Sequence, residues 1–465
     1  MQHRCAGRFL LIGAAMVYGS LAHANLSEGD RATVFGTENG AEAVSFREVD
    51  SASLLSLEGV WRSRGYGWLW QISDGRIRIY DAVESYCVHR ETYFGIPEDF
   101  SRSLGLHPGG AAFSISIGDE TYRYRFDRIG ALPAACGTED RSGPEAIFET
   151  AVAIFTEHYP FFRERDVAWS ETVEFLSSQV SPDLSEEGLF ALLSRLLSQI
   201  DDGHIGLSAM VEGRERWFSP PFKLRQVSPE AIERSEQVGY WTTGIASELS
   251  DNLVRVSNGQ IQYGTIEDTA YLYIGSTGRS LRRAVNGPLD EARALFRREG
   301  SKRLIIDLTD NTGGTDETAR RFVARFARSP VVAYSKRAGD TVNDPLQAAW
   351  IEPADPPIFE GPVTVITNQE TISAGEILLM GLRSLPNIDH IGMATRGSLS
   401  DILTKRLPNG WSLDLANEIY LDHEGRFYEG IGIPPDVEIP IYSKQNAPDD
   451  AKEAAKRLID YLDSF

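Results

Sequence analysis

VITNQETISAGEILLMGL, residues 365–382, begins as the end of a β-rich run and finishes as an apolar helix. Val363 to Thr367 read as a buried strand, Asn368 to Ile372 as a short polar loop, and Ser373 as the first residue of the helix. Glu376 follows three residues on, so Ser373 can be the N-cap of an S-x-x-E capping box. The same geometry has a chemical reading. A serine at a helix head after a buried strand lies at the carboxyl edge of a sheet, where α/β sites form. The free N–H groups of the first turn then point at any oxyanion formed beside it. Thr371 occupies the first glycine position of a G-x-S-x-G elbow, which speaks against an ordinary α/β-hydrolase.

The flanking sequence repeats the pattern. TAYLYIGS reads as a strand, 287–299 as a helix, RLIIDLTD as a buried strand, and Glu317 to Arg328 as a helix. PVVAYS and GPVTVITN are further strands. Near-continuous apolar strands separated by helices predict crossover units covered on both faces. IIDLTDNTGGT, residues 305–315, ends in an Asn and two glycines before a helix. That is either a tight strand-to-helix turn or a place where backbone N–H groups approach a ligand. No Gly-Lys-Ser/Thr follows, so a nucleotide P-loop is not expected.

Upstream, Leu189, Leu192, Leu193, Leu196, Leu197 and Ile200 recur at helical spacing, with Pro182, Asp183 and Ser185 marking the start. His204 stands just beyond, in IDDGHIGL, as either a structural or a catalytic histidine. None of the six histidines after residue 24 forms an H-E-x-x-H or other metal pattern, which disfavours a zinc hydrolase. Glu429 precedes a glycine-rich turn in FYEGIGIPPDVEIP and by itself is a polar loop residue. Residues 54–142 have β character. Asp74-Gly75 is a hairpin turn between WRSRGYGWLWQIS and RIRIYDAV, and Gly118-Asp119 plays the same part between AAFSISIG and TYRYRFDRIG.

At the start, His3, Arg4 and Arg8, the apolar stretch Phe9 to Leu21, and Ala22-His23-Ala24 read as a signal peptide, with an uncleaved anchor as the alternative. Removing it takes the net charge from −21 to −23, an acidity that argues against nucleic acid or an anionic membrane as partner. No later segment is apolar enough to span a membrane. Cys87 and Cys136 remain, and an even count in an exported chain favours a disulfide over two buried thiols.

Taken in order, EHYPFFRERDVAW, LLSRLLSQIDDGHIGL, LIIDLTDNTGG, TNQETISAGEILLMGL, and IGMATRGS through LPNG to EGIGIPPD resemble the C-terminal processing peptidase family, and its tricorn-core branch in particular, over roughly residues 145–440. The resemblance implies a ClpP/crotonase-like α/β catalytic core with crossover units. A helical subdomain and a small N-terminal antiparallel β domain precede it. It implies no cofactor and a peptide or protein substrate. Ser373 matches the family's acyl nucleophile, and His204 the tricorn-type general base. Glu429 matches the glutamate that orients the base, while Gly313 or Gly314 together with Ala374 match the oxyanion-hole amides. The processing branch places a lysine 25 positions after the serine, and here that position is Ser398. The glycine-rich signature of a PDZ domain is not found in 205–265. The expected organisation is a signal peptide (1–24), an extended lead-in (25–50), a β barrel or sandwich domain (51–142), a helical subdomain (143–215), the core (216–443) and a terminal helix (444–465). The same fold resembles repeats of interphotoreceptor retinoid-binding protein, so an apolar-ligand carrier is the alternative, with an esterase as a third reading.

Overall fold

A computed structural model describes residues 45–46, 57–94, 104–116, 122–137, 142–221, 223, 226, 228–230, 241–242, 253–339, 341 and 344–442. The expected signal peptide, nearly all of the lead-in, the Gly118-Asp119 turn and the terminal helix lie outside them.

The catalytically suggestive half is a seven-stranded sheet. Its order is Val254–Val256, Ile261–Ile266, Thr269–Ile274, Arg303–Asp307, Val363–Thr367, Ile388–Gly392 and Val437–Glu438. The first two pairings are antiparallel and the remaining four parallel. Parallel neighbours cannot be joined by a tight turn, so the chain crosses over through helices. Four helices used below are α1 (Pro144–His158), α2 (Trp169–Ser177), α3 (Glu186–Leu197) and α4 (Asn286–Glu299). Two more are α5 (Asp316–Ala324) and α6 (Ala374–Arg383). Helices α4 and α6 each join one strand to its parallel neighbour, and α5 lies within the longer connection from 307 to 363. The strands read as unbroken apolar runs because both faces are covered: all six residues of Thr269–Ile274 are buried.

PVVAYS forms a strand, Val331–Ala338, but not a member of this sheet. It lies in a separate antiparallel sheet between Gln347–Ile351 and Glu418–Asp422. Its composition suits a buried strand of either kind, and the partner that decides is 80 residues away.

Helix α3 starts as its sequence indicates, with the Ser185 hydroxyl accepting from Gly188 N–H. It ends at Leu197, three residues before the periodic pattern does, and Ile200 is reached through a turn. The N-terminal strands form one eight-stranded antiparallel sheet, in the order 45–46, 105–106, 112–115, 124–129, 59–63, 68–73, 76–83 and 86–94. Ser73 pairs with Arg76 across the Asp74-Gly75 turn, where both central residues have positive φ, 51° and 67°. The aromatic face of this sheet shares one hydrophobic core with α1, α2, α3 and the strands of 206–211 and 402–416.

Cys87 and Cys136 are bonded, tying the last strand of the sheet to the turn Ala134–Gly137. At a sequence separation of 49, the loop they close restricts the unfolded chain by about 4 kcal/mol in the chain-entropy picture. Cys136→Ser should therefore lower the thermal midpoint. Intact mass of oxidised protein should be two hydrogens below the reduced value, and two free thiols would contradict the bond.

Candidate active site

Adjacent strand ends feed one place. The parallel strands ending at Ile274, Asp307, Thr367 and Gly392 deliver the loops 275–278, 308–315, 368–373 and 393–400 side by side. Asn311 stitches three of them. Its amide donates to Ile274 O at 2.7 Å, its Oδ1 accepts from Gly313 N–H at 2.9 Å, and its carbonyl accepts from Ile372 N–H at 3.1 Å.

Ser373 has φ 59° and ψ −130°. Gly375 N–H donates to Ile372 O at 2.9 Å, so residues 372–375 form a tight turn with Ser373 at its first central position. A glycine normally occupies that position in a turn of this type, and a β-carbon there is strained. Glu376 holds the strained residue. Its carboxylate accepts from Ser373 N–H at 3.1 Å, Ser398 N–H at 2.9 Å, Gly397 N–H at 2.7 Å and the Thr395 hydroxyl at 2.5 Å. Burial pushes this carboxyl above its ordinary range, against the four donors that favour the anion. The capping-box reading thus understated Glu376, which binds the serine to the 395–398 loop.

The glycine turn abuts the serine. A β-carbon on Gly313 would meet Ser373 Cβ at 2.7 Å, and one on Gly314 would meet the Thr277 carbonyl carbon at 2.1 Å. Both have positive φ, 75° and 154°. The N–H of Gly313 is taken by Asn311, whereas those of Gly314 and Ala374 make no hydrogen bond among the described residues. Ala374 N lies 3.2 Å from the position of that Gly313 β-carbon, so turn and helix head converge.

His204 follows α3 on the neighbouring loop. Gly203 N–H donates to Ser398 Oγ at 3.1 Å, and a β-carbon on Gly203 would strike Ile372 Cδ1 at 2.6 Å. The loops bearing His204 and Ser373 are therefore in contact, although no hydrogen bond among the described residues joins the two side chains. His204 is buried, its backbone N–H donates to Asp202 Oδ1 at 2.9 Å, and its Nδ1 has no hydrogen-bond partner among the described residues. Burial lowers its pKa to about 4, opposed by Asp202 and reinforced by the cations Arg165 and Arg396.

Glu429 accepts from Leu399 and Ser400 N–H, each at 2.9 Å, and from Arg165 at 2.5 Å. Burial, with the neighbouring carboxylates Asp202 and Glu376, pushes it up to about 8 although Arg165 favours its charged form. Among the described residues no hydrogen bond joins Glu429 to His204 or Ser373. Arg165, within EHYPFFRERDVAW, bridges Glu429 to Asp202, the latter at 3.3 Å. Among the described residues no group of three or more histidine, cysteine, aspartate or glutamate side chains is placed to hold a metal ion.

Lys405, the first lysine downstream of Ser373, lies on the strand Ile402–Arg406 and is buried. Its ammonium donates to Tyr66 O at 2.8 Å, in the turn after the strand Gly59–Ser63, and pairs at 3.3 Å with Asp81 on the strand Arg76–Val83 of the N-terminal sheet. Burial lowers its pKa to about 8. Lys405→Ala would leave Asp81 buried with one cation fewer, a loss of about 3 kcal/mol. Urea denaturation should show that loss, while the folded variant keeps the wild-type rate. A folded Lys405→Ala protein with no activity would instead implicate the lysine in chemistry.

Residues 268–439 match the model of Peptidase family S41. The carboxy-terminal processing protease CtpA of Bacillus subtilis is 25% identical over 206 residues, 43% of this chain and 38% of that protein. A CtpA-like serine protease of Staphylococcus aureus is 25% identical over 169 residues, 35% of this chain and 32% of the relative. The chain thus spans less than two fifths of the length of these curated relatives. A crystal structure from Parabacteroides merdae, described as a candidate peptidase, superposes with a TM-score of 0.53 at 24% identity, covering 70% of this chain and 99% of that one. That likeness concerns the fold alone. With the serine, the glycine turn and the sheet edge all inside the matched span, the chain carries a peptidase S41 family domain.

Proposed function

We propose that the protein is an exported serine peptidase with residues 216–443 as a ClpP/crotonase-like catalytic core. Ser373 is its nucleophile, His204 its general base and Glu429 the group that steadies the base loop. The observation that carries this reading is a serine held at φ 59°, where glycine is the ordinary occupant, beside two N–H groups that make no hydrogen bond among the described residues. Strain of this kind persists only where the surroundings over-determine it, and here the Glu376 carboxylate and the glycine turn do so.

The chemistry is acyl transfer. Ser373 Oγ bonds to the substrate carbonyl carbon as its proton passes to His204, and the carbonyl electron pair moves onto oxygen. The N–H groups of Gly314, just ahead of α5, and of Ala374, at the positive end of α6, hold that oxyanion. Collapse expels the amine, which takes the proton back from His204. Water then repeats the sequence against the acyl-enzyme and releases the acid. His204 and Ser373 share no hydrogen bond in the resting structure, so the pair closes when substrate binds, as catalytic contacts often do.

A β-carbon at Gly313 would push Ser373 away from the two amides. Gly313→Ala should therefore lower kcat by roughly 10²–10³, the usual cost of losing an oxyanion donor. Turnover of unfolded casein separates the readings of the protein as a whole. Steady peptide release supports the peptidase. Cleavage of small esters alone would make it an esterase, and tight uptake of a fluorescent fatty acid without turnover would make it a carrier.

A further inference from the structure

We infer that Arg165 is the positioning residue that holds the His204 loop in register with the Ser373 and Glu429 loops and sets the charge around the histidine. The inference rests on the peptidase reading above and adds a residue to it.

Arg165 lies in the turn between α1 and α2, where its N–H donates to Phe161 O at 3.0 Å and both Phe161 and Phe162 are buried. Its side chain is 5% exposed. From there the guanidinium reaches three loops at once. It donates to Asp201 O and pairs with Asp202 on the histidine loop, the latter at 3.3 Å. It donates to Gly397 O at 2.7 Å and to Ser398 Oγ at 3.4 Å, on the loop whose Ser398 carbonyl accepts from Ser373 N–H. It pairs with Glu429 at 2.5 Å. The second oxygen of each carboxylate is spent on the site itself: Asp202 Oδ1 on His204 N–H, and Glu429 Oε2 on Leu399 and Ser400 N–H. Tyr159 completes Asp202 with a hydroxyl at 2.8 Å. A planar cation with five donors in a fixed fork can serve several acceptors at once, whereas a lysine cannot.

The charges around His204 are Asp202 on its own loop, Arg165 from the α1–α2 turn and Arg396 from the 393–400 loop, with Glu429 behind Arg165. Asp202 favours the imidazolium and the two arginines oppose it. Arg165 thus has two separable effects, one of charge and one of shape. Arg165→Gln removes both. Arg165→Lys keeps the charge and loses the fork.

The test uses the full chain carrying each variant, with folding checked by circular dichroism. The acid limb of kcat/KM should move up by about one pH unit in Arg165→Gln and stay in place in Arg165→Lys. Both variants should lose kcat by at least about tenfold, because reacting groups tolerate little misplacement. The His204 ring is also titrated by NMR in a Ser373→Ala background, which needs no activity. There Arg165→Gln should raise the ring pKa and Arg165→Lys should not. An unchanged His204 titration in Arg165→Gln, or an equal shift in both variants, overturns the inference. Retention of hydrolysis by Ser373→Ala alone would instead overturn the peptidase reading, so the two failures are distinct.

Discussion

Ser373→Ala should abolish hydrolysis and covalent labelling by fluorophosphonates while leaving the fold intact, and Ser373→Gly should abolish both while raising the thermal midpoint. Alanine deletes the nucleophilic oxygen but keeps the β-carbon, so the strain at φ 59° remains and stability changes little. Glycine deletes the strain as well. A residue held in such a sparsely populated region costs about 1–3 kcal/mol, and part of the relief is offset because glycine makes the unfolded chain looser. A net gain of about 1 kcal/mol is expected. A more stable, inactive glycine variant would identify stored strain at the reacting residue, whereas a destabilised one would mean that the hydroxyl serves as a structural cap. Differential scanning calorimetry beside an activity assay reads both quantities.

His204→Ala should cost about 10²–10⁴ in kcat, the range for loss of a positioned proton acceptor. Its pH signature is more specific. The imidazole must be neutral to take the serine proton, so activity is present above its pKa and lost as pH falls through it. An unperturbed histidine places that fall at about 6.5. Burial lowers the His204 pKa to about 4, so activity should hold down to about pH 5 and fail near 4. If Lys405 were the base, its pKa of about 8 would put the fall between pH 9 and 7. A kcat/KM profile between pH 3.5 and 9 therefore separates the two, and a fall near 8 would remove His204 from the mechanism.

The parallel strands and the helix beginning after Ser373 were legible because their signals are local. Each strand is a short apolar run, each helix a periodic one, and strand ends at a sheet edge place loops together whatever the loops contain. Helix α2 was not legible. It buries only Trp169 and Leu176, so it lacks the repeating stripe by which α3 is recognised. The pairing of Val331–Ala338 with Glu418–Asp422 depends on a contact distant in sequence, which no local pattern encodes.

In the site, Ser373, His204, Glu429 and the glycines stood out through motifs and Glu376 through its capping-box spacing, but the buried network that joins them did not. Arg165 and Glu376 are charged residues that would ordinarily face water. Their burial follows from acceptors and donors supplied by other loops. Lys405 is different, since a signal was present. Leu403, Lys405 and Leu407 alternate on one side of the strand and are buried together, so strand parity alone places the ammonium inward. Its partner Asp81, in another sheet, could not be read from that pattern.

If one strained serine carries the acyl chemistry, a reagent that traps activated serines should find that residue and no other. The oxidised full chain is treated with a fluorophosphonate, digested, and mapped by tandem mass spectrometry. One stoichiometric adduct on Ser373 is expected, formed more slowly in His204→Ala and Gly313→Ala. An adduct on another residue, or no adduct on folded protein at neutral pH, would contradict it.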